Sequence, residues 1–359
     1  MFSAVRRQLF CLTLGLYSAV TVSAPLPQTG QVAEQQTRYI ASHFPGRMTG
    51  SPAELLAAEY VKQQFQAWGY QSDIRQFTAR YPFAQSDGEQ IWHSVTGNSV
   101  IAFHQGSEPQ QIIIMAHLDT YTPQSDQNNN DNLGGLFLQG VDDNASGLGV
   151  MLELAEKLRN IPVRYSIRFI ATSGKQIDAA GARSILLRMT KKEQKDTLLV
   201  INLDSLIIGD KLAFISSAST PNAVRKLGRD RAVALAHQFA IPVATKSAAE
   251  TSASKGNDFY QDVALFDSIG IPVLSVESTQ SGRVSHSSHQ QRPRSKAFPE
   301  GTVRYQVARD NIQYLDKWLP GQITKRSHDA VKIMLPLIKE LAKAGSLKHK
   351  ESPVKASQG

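Results

Sequence analysis

The stretch from Gln111 to Gly149 decides the fold of this chain. It opens with the apolar run Ile112-Ile113-Ile114-Met115-Ala116, continues as His117-Leu118-Asp119, and after a polar loop reaches Asp142-Asp143-Asn144-Ala145-Ser146-Gly147. A short run of mostly β-branched residues between turn signals is typical of a buried strand, and open α/β sheets bind ligands at the carboxyl ends of such strands. The sequence therefore predicts a functional site that begins at His117.

The residues that follow this strand have the chemistry of a metal site. His117 and Asp119 are two residues apart, so in a strand their side chains point the same way, and a carboxylate can hold an imidazole in one tautomer. Such a pair is equally typical of a hydrogen-bonded structural pair, and Asp119 can also simply cap a turn. The adjacent Asp142 and Asp143 favour a metal, because like charges are buried together only when a cation neutralises them. Asp204 supplies another carboxylate, at the end of the next apolar strand but one.

Strands and helices alternate on both sides of this stretch, which predicts one α/β domain over residues 25–345 with a mixed, mostly parallel sheet and helices on both faces. Ser51-Pro52-Ala53-Glu54 predicts a helix that starts with a serine cap, a proline and a capping box. Apolar runs predict strands at 71–83, 98–103, 112–116, 165–171, 197–203, 211–216 and 273–276. Helices are expected at 36–43, 51–68, 144–158, 180–192, 220–239, 306–318 and 324–341, with polar loops at 120–140, 244–258 and 278–301. We interpret the first of these loops as a rim of the substrate pocket.

The two ends of the chain differ from its middle. Residues 1–24 contain Arg6-Arg7, an apolar run and Val22-Ser23-Ala24, the pattern of a secretory signal peptide, so a periplasmic or secreted protein is expected. After signal removal no segment is long enough for a membrane span. The lone cysteine, Cys11, lies in this signal, which excludes disulfides and thiolate catalysis in the mature chain. Residues 346–359 are expected to form a charged, disordered tail.

Composition and charge exclude other classes of function. The 359 residues are 41% hydrophobic and 19% charged, as in an ordinary globular protein. The formal charge of +8 becomes +6 without Arg6 and Arg7, and the basic residues are scattered, so we expect no nucleic-acid partner. A serine hydrolase is disfavoured because the chain has no Gly-x-Ser-x-Gly motif.

Several motifs together resemble peptidase family M28, a family of zinc-dependent aminopeptidases. The matching segments are Gly50-Ser51-Pro52, Ile114-Met115-Ala116-His117-Leu118-Asp119, Asp142-Asp143-Asn144-Ala145-Ser146-Gly147, Ile201-Asn202-Leu203-Asp204 and Gly270-Ile271-Pro272-Val273-Leu274. The resemblance implies a zinc-peptidase-like fold in which two zinc ions share a carboxylate and a water, and a glutamate acts as general base. By matching motif it implies His117 and Asp204 as ligands of one zinc, Asp143 as the bridge and Asp119 as the carboxylate behind His117.

The chain departs from the family pattern where two adjacent glutamates should follow a strand. It reads Ser173-Gly174-Lys175-Gln176-Ile177-Asp178 there. Lys175 stands at the general-base position, where a protonated amine cannot accept a proton, and Gln176 offers zinc only a neutral amide oxygen. Asp178 lies three residues after the general-base position, so it is out of register to replace that base. The last family ligand would be His286 or His289, although a solvated Ser-rich loop explains both equally well.

Two hypotheses of function remain open. The first is an exported aminopeptidase that hydrolyses residues from free N termini of peptides or proteins, with at most one zinc held by His117, Asp143 and Asp204. In it, Lys175 takes part of the electrostatic role of the second metal. The second is a relative with impaired catalysis that acts as a peptide-binding or interaction module, since loss of a general base alone costs about 10² to 10⁴ in rate.

Overall fold

The computed structural model describes residues 27–130, 135, 137–217, 219–246, 261–279 and 309–343. The predicted signal peptide, His286, His289 and the predicted tail lie outside these residues. The strands are β1 (Gln71–Ala84), β2 (Gln90–His104), β3 (Glu108–His117), β4 (Tyr165–Thr172), β5 (Thr197–Asp204), β6 (Lys211–Ser216), β7 (Val243–Lys246) and β8 (Val273–Thr279). The helices are α1 (Gln31–His43), α2 (Pro52–Ala67), α3 (Asp126–Asn130), α4 (Ser146–Leu158), α5 (Ala180–Arg188), α6 (Lys191–Asp196), α7 (Asn222–Arg225), α8 (Arg231–Gln238), α9 (Gln261–Ser268), α10 (Ile312–Trp318) and α11 (Gln322–Lys343).

All of these strands lie in one sheet, in the order β1-β2-β4-β3-β5-β8-β6-β7. The four central strands, β4, β3, β5 and β8, are parallel, whereas β1, β2 and β6 join through antiparallel pairs. The predicted mixed, mostly parallel sheet is therefore confirmed. Because the central strands are parallel, the residues at their carboxyl ends meet along one edge.

Strand β3 is buried on both faces, which explains why its apolar residues are continuous rather than alternating. Ile112 and Ile114 pack with α1, α4 and α11 in the largest of three core clusters of the described residues. Ile113 and Met115 pack on the opposite face with α5 and α9. Helices therefore cover both faces of the sheet, as predicted.

Helix α2 begins as the sequence predicts, but its expected capping box is only half formed. Ser51 Oγ accepts a hydrogen bond from the Glu54 backbone N–H at 3.1 Å. The Glu54 carboxylate instead accepts hydrogen bonds from the backbone and side chain of Asn98 in β2, at 2.9 and 2.8 Å, and from the Ser173 hydroxyl. Glu54 therefore bonds to Asn98 in the sheet instead of completing the cap of α2. Its contact with Ser173 also ties α2 to the loop that carries Lys175.

Other helix bounds differ from the prediction because of local caps. The helix expected at 180–192 is interrupted, because Thr190 starts α6 with a capping box formed with Glu193. The helix expected from residue 306 begins at Ile312, where the Asn311 side chain accepts a hydrogen bond from the Tyr314 backbone N–H at 2.8 Å.

Three further segments also have boundaries that differ from the prediction. The polar loop predicted at 120–140 contains the short helix α3, and the loop predicted from residue 244 begins inside β7. The helix predicted at 220–239 is divided into α7 and α8 by a π-helical turn at Lys226–Asp230. None of the helices in the described residues is both long and apolar enough to cross a membrane.

Candidate metal centre

His117 is the last residue of β3, and Asp119 holds its imidazole ring through the Nδ1 atom. Nδ1 lies 2.8 Å from the backbone oxygen of Asp119 and 3.6 Å from its Oδ1. The nearer partner is a carbonyl, which can only accept, so Nδ1 carries the proton and Nε2 faces the other acids. The predicted His117–Asp119 pair is adjacent in space, but the backbone oxygen of Asp119 rather than its carboxylate makes the shorter contact.

The Asp119 carboxylate positions the neighbouring loops. Its Oδ2 accepts a hydrogen bond from Thr49 Oγ1 and another from the Lys175 backbone N–H, both at 3.0 Å. It therefore joins the loop before α2 to the loop after β4.

Asp143 lies in the turn Val141–Ala145, which the Asn144 side chain fastens to β5. Asn144 Nδ2 donates to the backbone oxygen of Leu203 at 2.9 Å, and its Oδ1 accepts from the Ser205 backbone N–H at 3.0 Å. Gly147 permits this approach, because a Cβ there would lie 2.3 Å from the Leu203 oxygen. These contacts set the position of Asp143 relative to Asp204.

Buried hydrogen bonds of Asp142 and Asp310 also hold the turn Val141–Ala145 in place. Asp142 Oδ1 accepts from the backbone N–H groups of Ile207 and Ile208, at 2.7 and 3.2 Å. The carboxylate of Asp310 accepts from the backbone N–H groups of Asp142 and Asp143, at 2.8 and 3.3 Å. Burial and the neighbouring Asp142 raise the pKa of Asp310 to about 8.

His117, Asp143 and Asp204 form the cluster that could hold a metal ion. Their ligand atoms all lie within 4.8 Å of one another, and all three side chains are buried. His117 Nε2 is 2.8 Å from Asp143 Oδ1 and 3.6 Å from Asp204 Oδ1. Zinc ligands at ~2.1 Å in a tetrahedral site are about 3.4 Å apart. The three residues can thus hold one zinc ion after adjustments of these contacts, including a small widening between His117 and Asp143.

The Lys175 side chain enters this cluster from the loop after β4. It is fully buried, and its ammonium group forms an ion pair with Asp204 Oδ2. The other oxygen of Asp204, Oδ1, accepts from the Ser205 hydroxyl at 2.9 Å and faces His117. A cation of the chain itself therefore lies beside the candidate metal ligands.

Charges within the cluster shift its ionisation. Burial and the Lys175 charge lower the pKa of His117, but Asp119, Asp143 and Asp204 outweigh them and hold it well above its usual value. Burial raises the pKa of Asp204, but Lys175 and His117 outweigh it and hold that pKa far below its usual range. Without a metal, His117 is therefore an imidazolium, and a metal must displace its proton.

The other predicted site residues do not join this cluster in the described part of the chain. Gln176 is half-buried, and its backbone oxygen, rather than its side chain, accepts a hydrogen bond from Gln124. Asp178 is exposed and forms an ion pair with Arg183, so it cannot replace a missing base. The alternatives His286 and His289 lie outside the described residues.

Sequence patterns did not reveal four charged residues around the site: Arg47, Glu54, Asp262 and Asp310. Arg47 is buried and donates to the backbone oxygens of Leu118 and Gln139, at 3.1 and 2.8 Å. Burial lowers its pKa to about 10, against the charges of Asp310, Asp119 and Asp143. These four residues come from distant segments, so no local spacing marks them.

Comparison with known proteins identifies the family. The sequence profile of Peptidase family M28 matches residues 98–331, more than half of the chain. This chain belongs to peptidase family M28. The matched segment includes β3, β4, β5 and β8, and with them His117, Asp143, Lys175 and Asp204. Membership of M28 indicates a peptidase.

Two relatives support this assignment. The chain is 54% identical over 344 residues to the alkaline phosphatase isozyme conversion protein of Escherichia coli K12, covering 96% of this chain and 100% of that protein. A 68-residue segment, 19% of this chain and 15% of the relative, is 37% identical to aminopeptidase YwaD of Bacillus subtilis.

Solved structures share the fold of this M28 chain at low identity. A zinc aminopeptidase from Bacillus subtilis superposes with a TM-score of 0.63 and 14% identity, over 89% of this chain and 97% of that one. A glutaminyl cyclase from an Acidobacteriales bacterium superposes with a TM-score of 0.58 and 19% identity, over 90% and 99%. Because the same fold serves different reactions, the reaction of this M28 member must be argued from its own residues.

Proposed function

We propose that this protein is an exported aminopeptidase that removes residues from free N termini, using a site with one zinc ion. The observation that carries the proposal is the grouping of His117, Asp143 and Asp204 at the ends of parallel strands, in an M28 chain. Imidazole and carboxylate are ligands that zinc accepts, and a tetrahedral site with three protein ligands leaves one position for water or substrate.

The charge of Lys175 argues against a second zinc. Compared with two glutamates, Lys175 and Gln176 make the site three charge units more positive. The Lys175 ammonium also occupies one oxygen of Asp204. A second divalent ion would meet this fixed charge in a buried site, where repulsion is poorly screened.

Each residue around the candidate ligands has a separate role in the proposed reaction. A bound zinc supplies Lewis-acid polarisation of the scissile carbonyl and an activated water near neutral pH. The backbone oxygen of Asp119 keeps the proton on His117 Nδ1, so that Nε2 can bind the metal. Lys175 holds Asp204 in its ionised form, and Asn144 keeps Asp143 at a fixed distance from β5. Together they present a preformed set of ligands.

The test is the release of 4-nitroaniline from a panel of aminoacyl 4-nitroanilides by zinc-loaded protein. N-acetylated versions of the same substrates and a His117→Ala variant serve as controls. A Lys175→Glu, Gln176→Glu double variant measures what the two replacements cost. Turnover of free but not acetylated substrates, absent in His117→Ala, supports the proposal, whereas wild-type protein without turnover refutes it.

A second candidate is a peptide-binding protein without turnover. The observation that favours it is the buried ion pair between Lys175 and Asp204, because it replaces a proton acceptor with a cation. This candidate predicts that unblocked peptides bind in calorimetry, that acetylated peptides do not, and that neither is cleaved.

Export is part of the proposal because of the N-terminal sequence. Arg6-Arg7, the apolar run and Val22-Ser23-Ala24 form the order of segments that a signal peptidase recognises. N-terminal sequencing of protein recovered from the periplasm or the medium should find a start near Pro25, and an intact Met1 in the cytoplasm would contradict export.

A further inference from the structure

Asp262, in the first turn of α9, carries a buried carboxylate that lacks a hydrogen-bond partner. The residue is 1% exposed, and neither Oδ1 nor Oδ2 accepts a hydrogen bond in the part of the chain that the structure describes. Burying an ionised carboxylate without donors is strongly unfavourable. Buried polar groups are otherwise almost always satisfied, so this exception needs an explanation.

The charges that act on Asp262 belong to the candidate metal centre. Lys175 and His117 favour its ionised form, and Asp119 and Asp204 oppose it. Burial is the largest influence and raises the pKa of Asp262 to about 6. Asp262 is therefore mostly ionised at neutral pH, yet basic enough to accept a proton there.

Among the described residues, the elements packed against α9 carry few other charges. Helix α9 contacts α5, β5 and β8. On α5, Arg183 is paired with Asp178, and Arg188 donates to the backbone oxygen of Gln76. Strand β8 contributes Glu277, the register partner of Asp204 in β5. Among the described residues, the cations that act on Asp262 are thus Lys175 and, in the metal-free site, His117.

We propose that Asp262 is the general base of this site, in place of the acid that is missing at position 175. The assignment rests on the proposed aminopeptidase function and adds the residue that moves the proton.

Other carboxylates near the cluster are already engaged. Asp143 and Asp204 are the candidate ligands, and Asp119 accepts from Thr49 and from the Lys175 backbone. Glu54 is occupied by Asn98 and Ser173. Among the buried carboxylates that are described, Asp262 has both oxygens without a donor.

Asp262 alone can both accept and return the proton that the reaction transfers. Its carboxylate takes a proton from the attacking water as the water oxygen bonds to the carbonyl carbon of the first peptide bond. Asp262 then returns this proton to the leaving nitrogen as the C–N bond breaks. The products are a free amino acid and a peptide shortened by one residue, and the carboxylate is regenerated.

The test compares Asp262→Asn with Asp267→Asn, a matched change on the same helix at a half-buried aspartate. The assay measures kcat and KM on aminoacyl 4-nitroanilides, zinc content and thermal unfolding. Asp262→Asn should lower kcat by about 10² to 10⁴ with little change in KM or zinc content. Its Tm should stay equal or rise, since an unpaired buried charge is removed. Asp267→Asn should keep wild-type kcat.

Two further readouts separate catalysis from a structural role. The wild-type rate should fall on the acid side of about pH 6, and Asp262→Asn should lack this limb. In a Lys175→Glu background, which restores an acid at position 175, Asp262→Asn should cost less than tenfold.

The outcomes are distinct. If wild-type protein turns over and Asp262→Asn stays within threefold of it, the assignment of Asp262 is wrong while the proposed function stands. The assignment is equally wrong if activity falls only in step with a lower Tm. If wild-type protein cleaves no unblocked substrate, the proposed function and the assignment fail together.

Discussion

Replacing Lys175 by methionine tests the buried ion pair most sharply. The substitution keeps a long unbranched side chain but removes the ammonium group that faces Asp204. Both partners are buried, so Asp204 would lose the cation that lowers its pKa most and would keep only the His117 imidazolium beside it. Removing one partner of a buried pair costs about 3–5 kcal/mol. At about 2 °C per kcal/mol for a chain of this size, the Tm of metal-free protein should fall by about 6–10 °C.

The pH dependence of this loss follows from the pKa of Asp204. That pKa is lowered in the folded state, so its contribution to stability is present above the unfolded value of about 3.9 and is lost as the pH falls below it. The difference between wild type and Lys175→Met should therefore be full at pH 7 and shrink below about pH 4. Zinc should reverse the loss, because a bound divalent ion replaces the missing charge.

The assay is thermal unfolding followed by circular dichroism, in chelator and in zinc, from pH 3.5 to 7.5. Lys192→Met is the matched control, because Lys192 is exposed and pairs with Asp196, and its loss should change stability by less than about 0.5 kcal/mol. A Lys175→Met protein that melts within about 1 °C of wild type in chelator at pH 7 would refute the role assigned to the ion pair.

Three further predictions concern the ligands and their supports. Because the pKa of His117 is raised, zinc must displace its proton, so zinc affinity measured by calorimetry should rise with pH by about tenfold per unit until His117 is neutral; a flat profile from pH 5.5 to 7.5 would contradict this. Asp119→Asn should lower zinc affinity about 10- to 100-fold, because it removes the carboxylate charge 3.6 Å from His117 Nδ1 while the backbone contact remains; unchanged affinity would show that the backbone oxygen alone supports His117. Asn144→Ala should cost about 1–3 kcal/mol in urea unfolding, because buried backbone groups of β5 and Ser205 lose their partner; a cost below about 0.5 kcal/mol would show that the turn is held by other contacts.

The central sheet was predictable because its strands carry a strong local signal. Apolar runs such as 112–116 and 197–203 bury both faces, and each ends on a polar residue, so the sequence itself indicates where His117 and Asp204 lie. Parallel pairing then brings these ends together without any further information.

The networks around the site were not predictable, because they depend on contacts between distant segments. Glu54 looked like a local cap, and only the folded chain brings it to Asn98 and Ser173. Asp310 reaches Asp142 across 168 residues of sequence. Lys175 looked like a defect in the family pattern, whereas the fold makes it a partner of Asp204.

The net charge of this site differs from that of the M28 family pattern, which has two glutamates at positions 175 and 176. In the proposed function, Lys175 and Gln176 stand where two acids are expected and disfavour a second zinc, whereas three candidate ligands remain beside a cation that keeps Asp204 ionised. A fixed ammonium group cannot bind substrate or water as a metal does, because it accepts no lone pair into an open coordination position. We therefore expect slower catalysis than in a site with both acids.

The number of zinc ions per chain tests this account most directly. Purified wild-type protein, saturated with zinc and freed of excess metal, should contain one zinc per chain by mass spectrometry of the metal. The Lys175→Glu, Gln176→Glu variant should contain up to two, and His117→Ala none bound tightly. Two zinc ions in wild-type protein would contradict the claim that Lys175 takes the place of the second metal.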